Sequence, residues 1–216
     1  MRLHRTLVSL VRDCRASSAV EFALMLPLML LFLFGIIDVG LYGWQINRDE
    51  KATQMGARYA VVTNPAASGL TTERYVGKVV GGVTLTQGDR IPAAALGLIT
   101  CNDTSCVCTT APCPAALGYD AAAFDSIVGN MRRFDRRITA ADVRVQYSGS
   151  GLGYAGDPGG MEIAPLTTVR LNGETANAND GLRFTSVTLA TFGATIRLPS
   201  FAYTLTMEDG SGTRSN

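Results

Sequence analysis

Two groups of residues in this chain ask for a chemical explanation. Glu21 and Asp38 lie inside a stretch that is otherwise uncharged, and Cys101, Cys106, Cys108 and Cys113 crowd into one short segment. A carboxylate within a bilayer costs roughly 2.5–3.5 kcal/mol at a helix centre and less near the interface, so each acid needs a partner or a place at the headgroups. Asp38 falls towards the far edge of the stretch, within reach of headgroups or a partner helix. The cysteines follow the pattern Cys-x4-Cys-x-Cys-x4-Cys with no histidine nearby. Zinc sites take pairs separated by two to four residues and usually include histidine, so a disulfide-stapled loop over about 100–114 is the better reading. Four cysteines allow three pairings. Closing Cys106 onto Cys108 makes a strained ring, which leaves Cys101–Cys106 with Cys108–Cys113, or Cys101–Cys108 with Cys106–Cys113.

Other motifs carry less. Gly151-x-Gly153-x-x-Gly156 has dinucleotide spacing, but Asp157-Pro158-Gly159-Gly160 follows where that motif requires a helix, so it reads as a flexible hairpin loop. Asn177-x-Asn179-Asp180-Gly181 lacks the acidic ligands and distal glutamate of a calcium loop and reads as an exposed turn. The one histidine, His4, is at the N-terminus, which removes Ser–His–Asp and Cys–His chemistry from the rest of the chain. No Gly-x-Ser-x-Gly elbow is present. The sequence therefore predicts no catalytic residue, no metal, no cofactor and no small-molecule substrate. Two carboxylates meeting in space is the one arrangement that it leaves open. A net charge of +1 argues against a nucleic-acid partner.

The element that must position Glu21 and Asp38 is the stretch 17–46, interrupted only by Pro27 and Gly35 between Phe22 and Ile37. It exceeds the roughly 20 apolar residues that a membrane-spanning helix requires. Arg2, Arg5, Arg12 and Arg15 precede it, against Asp13 alone, while Arg48-Asp49-Glu50-Lys51 beyond it is neutral. The positive-inside rule then keeps the N-terminus in the cytoplasm and exports residues from about 47 onward, where disulfides persist. A cleaved secretory signal fails on the length of the apolar run and on the lack of an Ala-x-Ala-like site after it.

The run Arg-Ala-Ser-Ser-Ala-Val-Glu-Phe-Ala-Leu at 15–24, with Leu26-Pro27 and Phe34-Gly35-Ile36-Ile37-Asp38, resembles the TadE-like proteins, pseudopilin-type components of tight-adherence (Flp, type IVc) pilus systems. The resemblance covers about residues 14–60. It implies cleavage of the leader between Ala16 and Ser17 by a prepilin peptidase, although Ala16 stands where family members usually carry glycine. It makes Ala16, Ser17 and Glu21 the processing residues, and Glu21, Pro27 and Asp38 the residues of helix packing and assembly. It implies as partners the Flp pilin, a sibling pseudopilin, the prepilin peptidase and the inner-membrane platform, besides membrane lipid. Elementary chemistry gives Glu21 a role beside that resemblance. Cleavage would free the Ser17 ammonium four residues before Glu21, on the same helix face. Among packed subunits a carboxylate of this kind is tolerated when such an amine pairs with it.

The pattern predicts a helix continuing to Val62, with Ala52, Met55, Tyr59 and Val62 on its packing stripe and Arg48, Asp49, Lys51, Gln54 and Arg58 between them, ended by Asn64-Pro65. From Ser17 it would measure roughly 69 Å. Beyond it the periodicity predicts a short helix over Thr71–Val80 and a strand over Gly82–Arg90. A helix capped by Asp120 then runs to about Arg137, its apolar stripe Phe124, Ile127, Val128, Met131 and Phe134. Strands follow at 142–148, 163–172, 182–191, 194–199 and 201–207, and then a polar tail, Ser211–Asn216. The expected organisation is a cytoplasmic leader 1–16, a transmembrane and extended helix 17–63, and an exported α+β head 64–216 with an antiparallel sheet. The function this predicts is that of a single-pass inner-membrane pseudopilin, non-enzymatic, with its head in the periplasm. The alternative is a membrane-tethered periplasmic binding or envelope adaptor domain unrelated to pili.

Overall fold

In the computed structural model, residues 17–172, 181–188 and 195–208 are described. The leader with Ala16, the turn at Asn177–Asp180 and the tail after Glu208 lie outside them. The described residues fall into two compact units, one drawn from Met1–Trp44 and Phe184–Ile196, the other from Gln45–Arg183 and Arg197–Asn216. The architecture is α+β.

The first helix, α1, spans Ser17–Ala60 and contains Pro27. Its N-terminal part is exposed from Ala19 to Phe34 and apolar apart from Glu21, and it is long and apolar enough to cross a membrane. Pro27 carries no N–H for the carbonyl of Ala23, a loss tolerated in membrane helices that would be costly in most soluble ones.

In the second unit a five-stranded antiparallel sheet is built from β3 (Leu98–Cys101), β4 (Cys106–Thr110), β5 (Val143–Ser148), β6 (Leu166–Leu171) and β9 (Phe201–Thr206), in the order β4-β3-β5-β6-β9. Side chains alternate across a strand, so one face collects Ile99, Cys101, Val143, Val145, Tyr147, Thr167, Val169 and Leu171, all buried. The register sets Ile99 beside Tyr147 and Thr167, and Cys101 beside Val145 and Val169. A second helix, α2 (Ala121–Arg132), buries Phe124, Ile127, Val128 and Met131, each contributing about 2 kcal/mol. Asp120 caps it as expected, accepting a hydrogen bond from the Ala123 N–H at 3.0 Å. The helix stops at Arg132, five residues short of the expected Arg137. Arg132 Nε donates to the Ile138 carbonyl, and Asp135 turns back to accept from the Arg137 N–H.

The packing stripe of α1 differs from the expected one. Its buried residues are Gln45, Asp49, Ala52, Thr53, Gly56, Ala57 and Ala60, whereas Met55, Tyr59 and Val62 are half-buried. Close approach explains the change: a Cβ on Gly56 would collide with Met131, 2.6 Å from its Cγ, and would touch Val169. Small residues let the helix lie near α2 and β6, and larger ones are displaced to the flanks.

The expected helix at Thr71–Val80 does not form. A 3-10 turn, Ser68–Thr71, ends where the Thr71 and Thr72 hydroxyls bond back to the carbonyls of Ser68 and Gly69. Gly77 at φ 84° then breaks any helical continuation. β1 (Val79–Val80) and β2 (Val83–Thr84) pair through Gly81-Gly82, whose φ values of 59° and 83° suit a two-residue hairpin turn. The glycines expected to stop a helix make this turn, and the strand expected over Gly82–Arg90 shrinks to β2. Gly151, Gly153 and Gly156 also take positive φ, and Gly153 bridges Ile163 rather than opening a helix. The expected strands at 182–191 and 194–199 are described as β7 (Arg183–Thr185) and β8 (Thr195–Arg197), which form a two-stranded sheet.

Candidate functional site: the carboxylates of the long helix and the cysteine hairpin

Ser17 and Glu21 both lie in the first turns of α1, and Glu21 is exposed, as are its neighbours Val20 and Phe22. Ala16 is outside the described residues, so the step at which cleavage is expected is not part of this geometry. Pro27 falls within the exposed apolar part of the helix.

Asp38 is only 7% exposed. The residues that cover it come from the distant segment at 184–188. Its Oδ2 accepts from the Ser186 hydroxyl at 2.6 Å, the Thr188 hydroxyl at 2.5 Å and the Thr188 N–H at 2.9 Å, and its Oδ1 accepts from the Val187 N–H at 2.7 Å. Side chains and backbone of one turn therefore converge on a single carboxylate, and charge-assisted bonds of this kind are about twice as strong as neutral ones. One turn further along α1, Tyr42 meets Phe184 edge to face, with ring centroids 5.5 Å apart. Sequence reasoning singled out Asp38 for headgroups or a partner helix; the structure gives it an intramolecular partner 148 residues away.

The apolar stretch ends at Ile46, and beyond it the second unit holds a different acid site. Asp49 and Asp135 are both fully buried. Gln45 Nε2 donates to both, to Asp49 Oδ1 at 2.9 Å and to Asp135 Oδ2 at 2.6 Å. Asp135 also accepts from Arg48 Nη2 at 3.2 Å and from the Arg137 guanidinium, with Nη2 at 3.0 Å. Asp49 Oδ2 has no hydrogen-bond partner among the described residues. Burial, and then the neighbouring Asp135, push the Asp49 carboxyl above its ordinary range. Asp135 also pays for burial, but hydrogen bonds from Arg137 hold it below that range. The two shifts run in opposite directions, so within the pair a proton is held more readily on Asp49 than on Asp135. This is the meeting of two carboxylates that the sequence left open. It lies among arginines and small helix residues.

Among the described residues, the cysteines pair as Cys101–Cys106 and Cys108–Cys113, which decides between the two alternatives. The segment is the strand pair β3–β4 and not a loop. Cys101 and Cys106 face each other directly in the register, with Cα atoms 3.9 Å apart. Asn102 Oδ1 accepts from the N–H groups of Thr104 and Ser105, closing the tight turn between them. Cys108–Cys113 fastens the edge strand to the segment that follows, across 5.9 Å between Cα atoms.

Comparison with known proteins bears on α1 alone. The family described as TadE-like protein matches residues 16–58. No match was found among curated proteins or among solved structures. The matched segment includes Glu21, Pro27, Asp38 and Asp49, and it associates the chain with the Tad pilus system and with a membrane. Residues 16–58 are thus similar to the TadE-like family, a match confined to this first helix.

Proposed function

We propose that the chain is a single-pass inner-membrane pseudopilin, structural and not enzymatic, acting in the assembly or initiation of a tight-adherence pilus. The observation that carries this reading is the TadE-like match at residues 16–58 on a helix exposed and apolar over a membrane-length stretch. The arginine-rich leader supports a cytoplasmic N-terminus, and the paired cysteines support an exported, periplasmic head. The proposed partners are the Flp pilin, a sibling pseudopilin, the prepilin peptidase acting between Ala16 and Ser17, and the inner-membrane platform. In this reading α1 anchors the subunit, and Glu21 neutralises the Ser17 ammonium exposed by cleavage, its own or that of a packed neighbour.

The test is deletion followed by electron microscopy of surface pili, with complementation by wild type and by Glu21→Gln. Loss of pili on deletion, restored by wild type but not by Glu21→Gln, is the expected result. Unchanged piliation in the deletion strain would favour the envelope-adaptor alternative. A reporter active only in the periplasm checks orientation: it should work fused after Val62 and fail after Leu10.

A further inference from the structure

We infer that the turn Ser186–Thr188 is a second membrane contact, seated in the margin of the bilayer beside α1 and held there by Asp38. The inference rests on the reading that α1 spans the membrane.

Depth is the first argument. Counting from Phe22, the first residue after Glu21, the roughly 20 residues needed to cross the hydrocarbon end near Leu41. Asp38 then lies about 5 Å inside that boundary, at 1.5 Å per residue. Ile36, Ile37, Val39 and Leu41 around it are apolar and exposed, as a lipid-facing helix requires. The turn Ser186–Thr188 is hydrogen-bonded to Asp38, so it shares that depth.

Polarity is the second. Lipid cannot satisfy a backbone N–H or a hydroxyl, and it penalises a carboxylate. The turn and the acid solve each other's problem: the N–H groups of Val187 and Thr188 and the hydroxyls of Ser186 and Thr188 are all directed at the carboxylate. Among the described residues of Phe184–Ile196, Val187 at 55% and Ile196 at 44% are exposed apolar side chains, and Thr185 and Thr195 are the exposed polar ones. No residue from Phe184 to Ile196 is charged, and Arg183 and Arg197 are the first charges on either side. A charge-free stretch between two arginines suits the margin of a bilayer.

Tryptophan fluorescence provides the test, because Trp44 is the only tryptophan in the chain. The full chain carrying Trp44→Phe and Val187→Trp is reconstituted in phosphatidylethanolamine–phosphatidylglycerol vesicles doped with phosphatidylcholine brominated near the headgroup, or, for the mid-span reference, deep in the acyl chain. Leu31→Trp serves as the reference within the span and Val79→Trp as the aqueous reference. The expected result is loss of emission at position 187 to brominated lipid, as at 31, with loss of the iodide quenching seen at 79. Adding Asp38→Ala should reverse both readings at 187 and leave 31 unchanged. Iodide quenching at 187 equal to that at 79, with 31 still quenched by lipid, overturns the inference and leaves the anchor standing. Shielding of 187 from both quenchers also overturns it, since a second copy or a sibling subunit would then cover the turn. Absence of lipid quenching at 31 removes the membrane-spanning reading itself. Ile196→Trp repeats the measurement at a second exposed position if Val187→Trp does not fold.

Discussion

Asp38 and Asp49 are the same residue type on the same helix, eleven positions apart, and the chain buries both by opposite means. Asp38 is saturated with neutral donors from one serine- and threonine-rich turn, so its charge is stabilised. Asp49 is packed against a second carboxylate, has one oxygen without a hydrogen-bond partner among the described residues, and is pushed by burial and by Asp135 towards its protonated form. The difference follows from the neighbours. Beside Asp38 the surroundings are apolar and no counter-cation lies on adjacent turns, so hydrogen bonds must do the work. Around Asp49 the arginines are committed to Asp135, which leaves room for one ionised acid only. A buried acid on a helix can thus mark either a clamp for a returning segment or one half of a shared-proton pair, and its donors distinguish the two.

Asp135 should show the largest effect. Asp135→Ala strips Arg48, Arg137 and Gln45 of their common acceptor in a buried setting, and breaking such a pair costs about 3 kcal/mol or more. A comparably lowered denaturation midpoint of the full chain in detergent is expected. A change within error would mean that the arginines lose nothing with it.

Asp38→Ala should come next. The donors of Ser186, Val187 and Thr188 lose their acceptor, at about 2 kcal/mol. The loss is local, so limited proteolysis between Phe184 and Ile196 should speed up while the midpoint of the head stays near wild type. A uniform shift of the whole unfolding curve would contradict the distinction between clamp and core.

The disulfides give a smaller contrast. Each closes a short loop, which in the chain-entropy account contributes about 2 kcal/mol. Cys101 is fully buried within an inner strand and Cys113 is exposed beyond the edge strand. Replacing Cys101 and Cys106 by alanine should therefore destabilise the protein more than replacing Cys108 and Cys113, as read by denaturation of the two double variants. The reverse order would place the edge staple above the buried one.

How far these features could be read in advance depended on sequence separation. The stripe Phe124–Met131 and the Asp120 cap repeat every three or four residues within one element, and α2 forms as that pattern demands. β5, β6 and β9 alternate in the same local way, whereas β3 and β4 lie mostly in the stretch that reads as a cysteine loop. Residues serving contacts at long range were the ones misread. Gly56, Ala57 and Ala60 gave no apolar stripe, because small size at these positions allows the close approach seen between Gly56 and Met131, and Asp49 reads as lying off the stripe because Asp135 is 86 residues away. Gly81-Gly82 offered the same letters as a helix stop or a hairpin turn, and only the partner strand decides between them. For Asp38 the need for a partner was legible from its apolar surroundings, but not the identity of Ser186 and Thr188.

The finest test of the two acids is their response to pH. Asp49 binds its proton more tightly folded than unfolded. Once pH passes the ordinary carboxylate value near 4, the unfolded chain releases a proton that the folded chain retains, so stability falls as pH rises towards 8. Asp135 has the opposite sign: its contribution is present above the unfolded value and is lost as pH falls below about 4. The two place the optimum for this pair on the mildly acidic side. Asp49→Asn removes the first slope, because an amide supplies a donor to Asp135 without a proton to lose. From pH 5 to pH 8 the variant should gain on wild type by about 2 kcal/mol or more. Denaturation midpoints of both proteins across that range decide the matter, since all other titrating groups cancel in the difference. Parallel curves would mean that Asp49 is already ionised in the folded protein, and the contrast with Asp38 would then reduce to geometry alone.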